Sequence, residues 1–245
     1  MTEEASMRRV ESGKSMSPAA CAMKRSFDMA GSLLGILVFS PVFAVIYLLI
    51  KWEDGGTAIF KQERVGHHGK LFTLYKFRSM SMQAEADGKP ALCQKGDKRL
   101  TRIGKFLREH HLDELPQLWN VLKGEMSFVG PRPEREFFVE RIKSVNPNYV
   151  LLYQLRPGLF SAATLYNGYT DTMEKMLERL RMDLDYLNSR SLWLDTKIIF
   201  LSAFFILTGK NFKYAIAYKT TDEIVAEGVI QPKKDLLLRK WAVVT

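Results

Sequence analysis

Residues Met29 to Ile50 read MAGSLLGILVFSPVFAVIYLLI, 22 consecutive positions without a charge. A bilayer core asks about 20 apolar residues of a helix. The run starts too late and is too long for the apolar part of a secretory signal, and no small-x-small cleavage pattern closes it. Every face is apolar, unlike the stripe of an amphipathic surface helix. Ser40-Pro41 stands in its middle. Proline removes a backbone donor and crowds the preceding turn, so a helix kinks or breaks there. Arg8, Arg9, Lys14, Lys24 and Arg25 precede the run, and Lys51, Lys61, Arg64, Lys70, Lys76 and Arg78 follow it. Positive charge on both flanks suits retention of both ends on the cytoplasmic side. The expectation is a re-entrant membrane helix broken at Ser40 and Pro41. A simple span and a buried core helix are the alternatives.

The rest of the chain must fold around that segment. Its 245 residues, 47% of them hydrophobic, suffice for one core with appendages. Disordered and fibrous classes are excluded by this composition. Net charge is 36 − 27 = +9. That points to a polyanionic partner: nucleic acid, an anionic membrane or phosphorylated small molecules. A mean hydropathy of −0.12 argues against several membrane spans. Cys21 and Cys93 are the only cysteines, so a disulfide framework and a cysteine-rich zinc site are not expected.

Residues 1–20 are polar and aperiodic and read as a disordered lead. Segment 21–52 is the membrane helix-break-helix, 53–210 the catalytic domain, and 211–245 an extension without an assigned role. Ala58–Gln62 and Leu71–Phe77 read as two strands around the turn Arg64-Val-Gly-His-His-Gly-Lys70, hence a β-hairpin. Residues 81–97 read as loop. Asp97 is placed to cap a basic helix from Lys98 to about His110. A second helix is expected from Glu114 to about Lys123, closed by Gly124, with Leu115, Leu118, Trp119 and Leu122 on one face. Phe128–Pro133 (FVGPRP) must be a rigid loop. Further helices are expected over 134–143, 172–189 and 194–208. The fold class is mixed α/β, mostly helical: a small domain with one hairpin and amphipathic helices at the membrane interface.

His111-Leu-Asp113-Glu114-Leu-Pro116-Gln117 carries the most chemical information. Two adjacent carboxylates precede a helix with proline in its first turn. By itself this is a helix cap contributing about 1 kcal/mol. Its surroundings are less ordinary. A basic helix lies upstream, and Gly130-Pro131-Arg132-Pro133 downstream holds a guanidinium on a stiff loop. Helix N-termini and arginine forks both favour phosphate. Mg²⁺ takes one or two carboxylates plus substrate phosphates. Asp113 and Glu114 are therefore expected to hold Mg²⁺ beside a diphosphate. The pairs His67-His68 and His110-His111 point to different faces and are poor metal ligands.

Several ordered motifs resemble the bacterial sugar transferase family, the monotopic polyprenyl-phosphate phosphoglycosyl transferases. They are Lys24-Arg25-Ser26-Phe27-Asp28 leading into Ser40-Pro41; Phe60-Lys-Gln62-Glu-Arg64-Val-Gly66; Tyr75-Lys76-Phe77-Arg78-Ser79-Met80; Leu100-Thr-Arg102-Ile-Gly104-Lys-Phe-Leu-Arg108; Leu112-Asp113-Glu114-Leu115-Pro116-Gln117-Leu-Trp-Asn120; and Met126-Ser127-Phe-Val-Gly130-Pro131-Arg132-Pro133. The resemblance spans roughly residues 22–208. It implies transfer of a sugar 1-phosphate from a UDP-sugar to polyprenyl (undecaprenyl) phosphate with release of UMP, the first membrane step of glycan assembly. It implies an Asp113–Glu114 catalytic dyad, with Asp113 forming a covalent aspartyl-phosphosugar, and Mg²⁺ as cofactor. Arg132, Arg108, Arg64, Lys76 and Arg78 match basic positions that would hold phosphate. It implies a monotopic protein of the bacterial inner membrane, its catalytic domain on the cytoplasmic face, in a minimal form of the family.

The match departs from the family after Arg156-Pro157-Gly158. Many members continue with Thr-Gly and a Gln; here the chain reads Leu-Phe160-Ser161-Ala-Ala-Thr164-Leu-Tyr-Asn167. The expected partners are a UDP-sugar, polyprenyl phosphate and membrane lipid. Nucleic acid is not expected, and a homodimer stays open. The competing reading is a non-catalytic, membrane-attached protein whose basic surface binds anionic lipid.

Overall fold

The structure, a computed structural model, describes residues 16–84, 97–167 and 172–208. The expected lead up to residue 15, most of the loop 81–97 and the extension 211–245 lie outside those residues. The apolar run belongs to one helix, α1 (Pro18–Asp54). Ser17 caps it by accepting from the Ala20 amide at 3.2 Å, with Pro18 at the first helical position. Residues 18–20 are thus helix rather than disordered lead. Gly55, in the left-handed region (φ 71°), ends the helix by donating to the Lys51 carbonyl.

The expected break at Ser40-Pro41 is not an interruption, because α1 stays helical through both residues. A proline at position 41 cannot donate to the carbonyl of residue 37. The Ser40 hydroxyl donates to that carbonyl at 2.8 Å. The acceptor is satisfied, and the turn survives. Residues 37–42 are nevertheless exposed on every side, and only Asp28, Ser32, Ile46 and Ile50 of α1 are buried. Both arms beside this exposed middle touch the same globular body. On the first arm, Lys24 pairs with Asp195 at 2.5 Å, and Arg25 donates to the carbonyls of Val121 and Leu122. On the second, Phe43 packs on Phe77, while Ile46 and Ile50 share a core with Ala58, Phe77 and Leu107. Arg78 grips Asp54 at its end. Among the described residues α1 alone has the length and composition to cross a membrane.

Strands β1 (Ile59–Val65) and β2 (Leu71–Phe77) form an antiparallel hairpin as expected, with Ile59 opposite Phe77 and Val65 opposite Leu71, but β1 runs three residues past its expected end and takes Arg64 and Val65 out of the turn. His68 takes φ 57° in the turn. Helix α2 (Arg102–Glu109) begins four residues later than expected. Thr101, not Asp97, is its cap, accepting from the Gly104 amide at 2.9 Å. Leu100 is already committed to a β-bridge with Met80, and Asp97 binds Arg99. The Glu53 carboxylate supplies a second acceptor to the amides of Arg102 and Ile103. A Cβ at Gly104 would stand 2.0 Å from the Ser79 carbonyl oxygen, so α2 can lie this close only with glycine there.

Helix α3 (Gln117–Lys123) also starts late, after a 3₁₀ turn at Leu112–Glu114. His111 adopts the left-handed conformation (φ 55°) and reverses the chain between α2 and that turn. β3 (Ser127–Val129) pairs in parallel with β4 (Gly158–Phe160), giving the expected rigid loop a two-strand base. α4 (Glu136–Val145), α5 (Ala162–Asn167), α6 (Met173–Ser189) and α7 (Leu192–Thr208) complete the domain. Val65, Phe138, Val139, Ile142, Tyr149, Leu152, Met176 and Leu180 form its main core. The α/β, mostly helical class is the one observed.

Candidate active site

Asn120 of α3 fixes the site. Its amide donates to the Thr73 carbonyl at 2.7 Å and accepts from the Tyr75 amide at 3.1 Å. Those are backbone groups of β2, so α3 is held against the strand that carries Lys76. Lys76 Nζ then meets Glu114 Oε1 at 2.7 Å. Arg132, delivered by the loop after β3, reaches the same oxygen at 3.2 Å. Burial alone would raise the Glu114 carboxyl. The two cations outweigh it and hold Glu114 far below the usual carboxylate range.

Asp113 is not the helix cap expected. Its side chain turns inward, 6% exposed, and takes no hydrogen bond or ion pair among the described residues. Burial pushes its carboxyl up, against the pull of Lys76 and Arg108. Arg108 likewise has no ion-pair partner among the described residues. The site therefore combines one engaged carboxylate, one unengaged carboxylate and three cations: Lys76, Arg108 and Arg132.

Arg64 sits one layer behind. It donates to the Pro133 carbonyl at 3.1 Å and contacts Glu134 at 3.5 Å. Glu134 also pairs with Arg179. These contacts hold the loop that presents Arg132, so Arg64 supports the site rather than opening into it. Arg78 does not join the cluster: Asp54 and the Thr57 carbonyl occupy its guanidinium. Sequence patterns assigned no role to Asn120, Glu134, Arg179 or Asp183. Asn120, Glu134 and Asp183 are buried and Arg179 is nearly so, each with a partner far along the chain, so local spacing carries no trace of its role.

No group of three or more His, Cys, Asp or Glu suited to a metal occurs among the described residues. The donor set still fits Mg²⁺. Both Asp113 oxygens and Glu114 Oε2 are unclaimed by donors among the described residues, and Mg²⁺ is content with two carboxylates plus phosphate oxygens.

The family model described as bacterial sugar transferase matches residues 19–209. A UDP-N-acetylgalactosamine-undecaprenyl-phosphate N-acetylgalactosaminephosphotransferase of Aeromonas hydrophila is 40% identical over 193 residues, 79% of this chain and 45% of that one. A UDP-glucose:undecaprenyl-phosphate glucose-1-phosphate transferase of Klebsiella pneumoniae is 44% identical over 183 residues, 74% of this chain and 39% of the relative. One of the same description from Caulobacter vibrioides is 40% identical over 190 residues, 77% of this chain and 71% of the relative. The chain spans less than half the length of the first two.

Proposed function

The chain belongs to the bacterial sugar transferase family, and from that premise we propose that it moves a sugar 1-phosphate from a UDP-sugar to undecaprenyl phosphate. The observation that carries this reading is the pairing of an unengaged, buried Asp113 with a cationic wall of Lys76, Arg108 and Arg132. A carboxylate attacks a phosphate only where the repulsion between them is screened. Here a carboxylate oxygen of Asp113 attacks the β-phosphorus. The bond from that phosphorus to the bridging oxygen breaks, and UMP leaves with the electron pair. An oxygen of polyprenyl phosphate then attacks the aspartyl-phosphosugar, forming the sugar-linked polyprenyl diphosphate and restoring Asp113. Arg132 and Lys76 bind the phosphate oxygens, and Glu114 holds both cations in place. Mg²⁺, held by Asp113 and Glu114, would neutralise further phosphate charge.

The membrane placement supports the same reading. Two arms of α1 bound to one polar domain, with residues 37–42 exposed between them, favour both ends lying on one membrane face. We place that face in the cytoplasm, where UDP-sugars are, at the bacterial inner membrane. The exposed middle would enter the lipid, and the site would meet the acceptor's headgroup at the surface.

A panel of UDP-sugars, assayed for UMP release with undecaprenyl phosphate and Mg²⁺, tests the reaction and identifies the sugar. With the acceptor omitted, mass spectrometry should find one sugar phosphate bound at Asp113. Full turnover by Asp113→Ala would refute the nucleophile.

A further inference from the structure

A second polar cavity, of about 230 Å³, lies beside the first arm of α1. It shares no lining residue with the cluster of Lys76, Asp113, Glu114 and Arg132. Lys24, Arg25, His67, Ser127, Arg156 and Arg190 line it. The one acid among its lining residues is Asp28, whose carboxylate accepts from the Phe128 amide at 3.0 Å. Asp195 neutralises Lys24. Arg25 and Arg156 have no carboxylate ion pair among the described residues. Arg25 donates to the carbonyls of Val121 and Leu122, and Arg156 to that of Gly124. Two guanidinium charges therefore face one cavity whose single lining carboxylate, Asp28, offsets part of the Arg25 charge, leaving the cavity with an excess of positive charge. Ser127, 1% exposed, also lines it, and its hydroxyl has no hydrogen-bond partner. A buried hydroxyl without a partner is unfavourable, so a ligand that supplied one would be favoured.

We propose that this cavity binds the phosphate of an anionic membrane-lipid headgroup, through Arg25, Arg156 and the Ser127 hydroxyl. The chemistry wanted is an anion with several acceptor oxygens, which two arginine forks match best. The location selects the source. Arg25 stands one turn before the apolar run that begins at Met29, the level at which basic side chains meet headgroups. The cavity's room, several times the roughly 30 Å³ of one water, admits a phosphate. The inference rests on the membrane placement of α1 and not on the transferase reaction. Failure of UMP release would leave it standing.

The full chain is tested in bilayer nanodiscs of phosphatidylglycerol and phosphatidylcholine, followed by native mass spectrometry. One retained phosphatidylglycerol is expected. Its occupancy should fall about tenfold in Arg156→Gln, as expected for the loss of a charge-assisted contact. Lys143→Gln, an exposed cation outside the cavity, should retain it. Arg156 is exposed, so its replacement should leave the fold intact, and Ser127→Ala provides a second, uncharged variant that should also lose lipid. Equal retention by the wild type, Arg156→Gln and Ser127→Ala would overturn the site. A parallel arm measures thermal unfolding in neutral detergent with millimolar inorganic phosphate. A rise specific to the wild type, with no lipid retained in the first arm, would overturn the lipid assignment in favour of a free phosphate.

Discussion

Asp113 and Glu114 are neighbours in sequence with opposite electrostatic surroundings. Glu114 is clasped by Lys76 and Arg132, whereas Asp113 is buried without a partner. Their substitutions should separate activity from stability. Asp113→Asn removes a charge that burial disfavours. It should abolish UMP release while leaving the melting temperature unchanged or raised. Glu114→Gln strips two partly buried cations of their anion. It should cost about 2 kcal/mol of stability, less than a fully buried pair because Arg132 is one-third exposed. Thermal unfolding of both variants checks this contrast. Equal losses would mean that Asp113 has a structural partner after all. The dyad itself was legible as a motif. That the first acid is unengaged and the second engaged was not, because the two partners of Glu114 lie 38 and 18 residues away from it.

At the scale of elements, α2 depends on its close approach to Ser79. Gly104→Ala places a methyl 2.0 Å from a backbone oxygen that cannot swing aside. A loss of about 2–3 kcal/mol is expected, read as a lower midpoint in thermal or urea unfolding. Helix α1 invites a topological test. In a Cys93→Ser background, Cys21 and an introduced Lys51→Cys should react with an impermeant thiol reagent from the same side of sealed vesicles. Reaction from opposite sides would leave a simple span. Two short runs around a glycine-containing turn located the hairpin, although β1 runs on to Val65. Cap residues misplaced the starts of α2 and α3. Asp97 and Asp113 are capable caps, but the first is taken by Arg99, only two residues on, and the second turns inward.

Across the whole molecule, pH should report the buried acids. Burial pushes Asp183 up to about 7, against the pull of Arg179 and the Ser161 hydrogen bond, and Asp185 up to about 6. Between the ordinary carboxylate value near 4 and these values, the folded state keeps protons that the unfolded chain has lost. Stability must then fall as pH rises from about 4 to about 7. Glu114 acts in the opposite sense, its contribution fading only as pH drops below its ordinary value near 4.5. The melting temperature should thus decline from pH 5 to 7, and Asp183→Asn should flatten the decline. A variant that tracks the wild type across this range would show that Asp183 titrates normally.

The sequence by itself determined which segment seeks lipid, where the hairpin lies, that the chain is mixed and mostly helical, and which acidic and basic motifs carry chemistry. Those are local properties: an uncharged run, a glycine-containing turn between two short runs, a dipeptide. Only the tertiary structure decided that α1 continues through Pro41, that both its arms grip one domain, that Arg78 serves Asp54, and that Asp113 is left without a partner. Apart from the local Ser40 contact that carries α1 past Pro41, each of these depends on groups that meet in space across a stretch of chain. The energy of a buried charge is set by those neighbours, not by its place in the sequence.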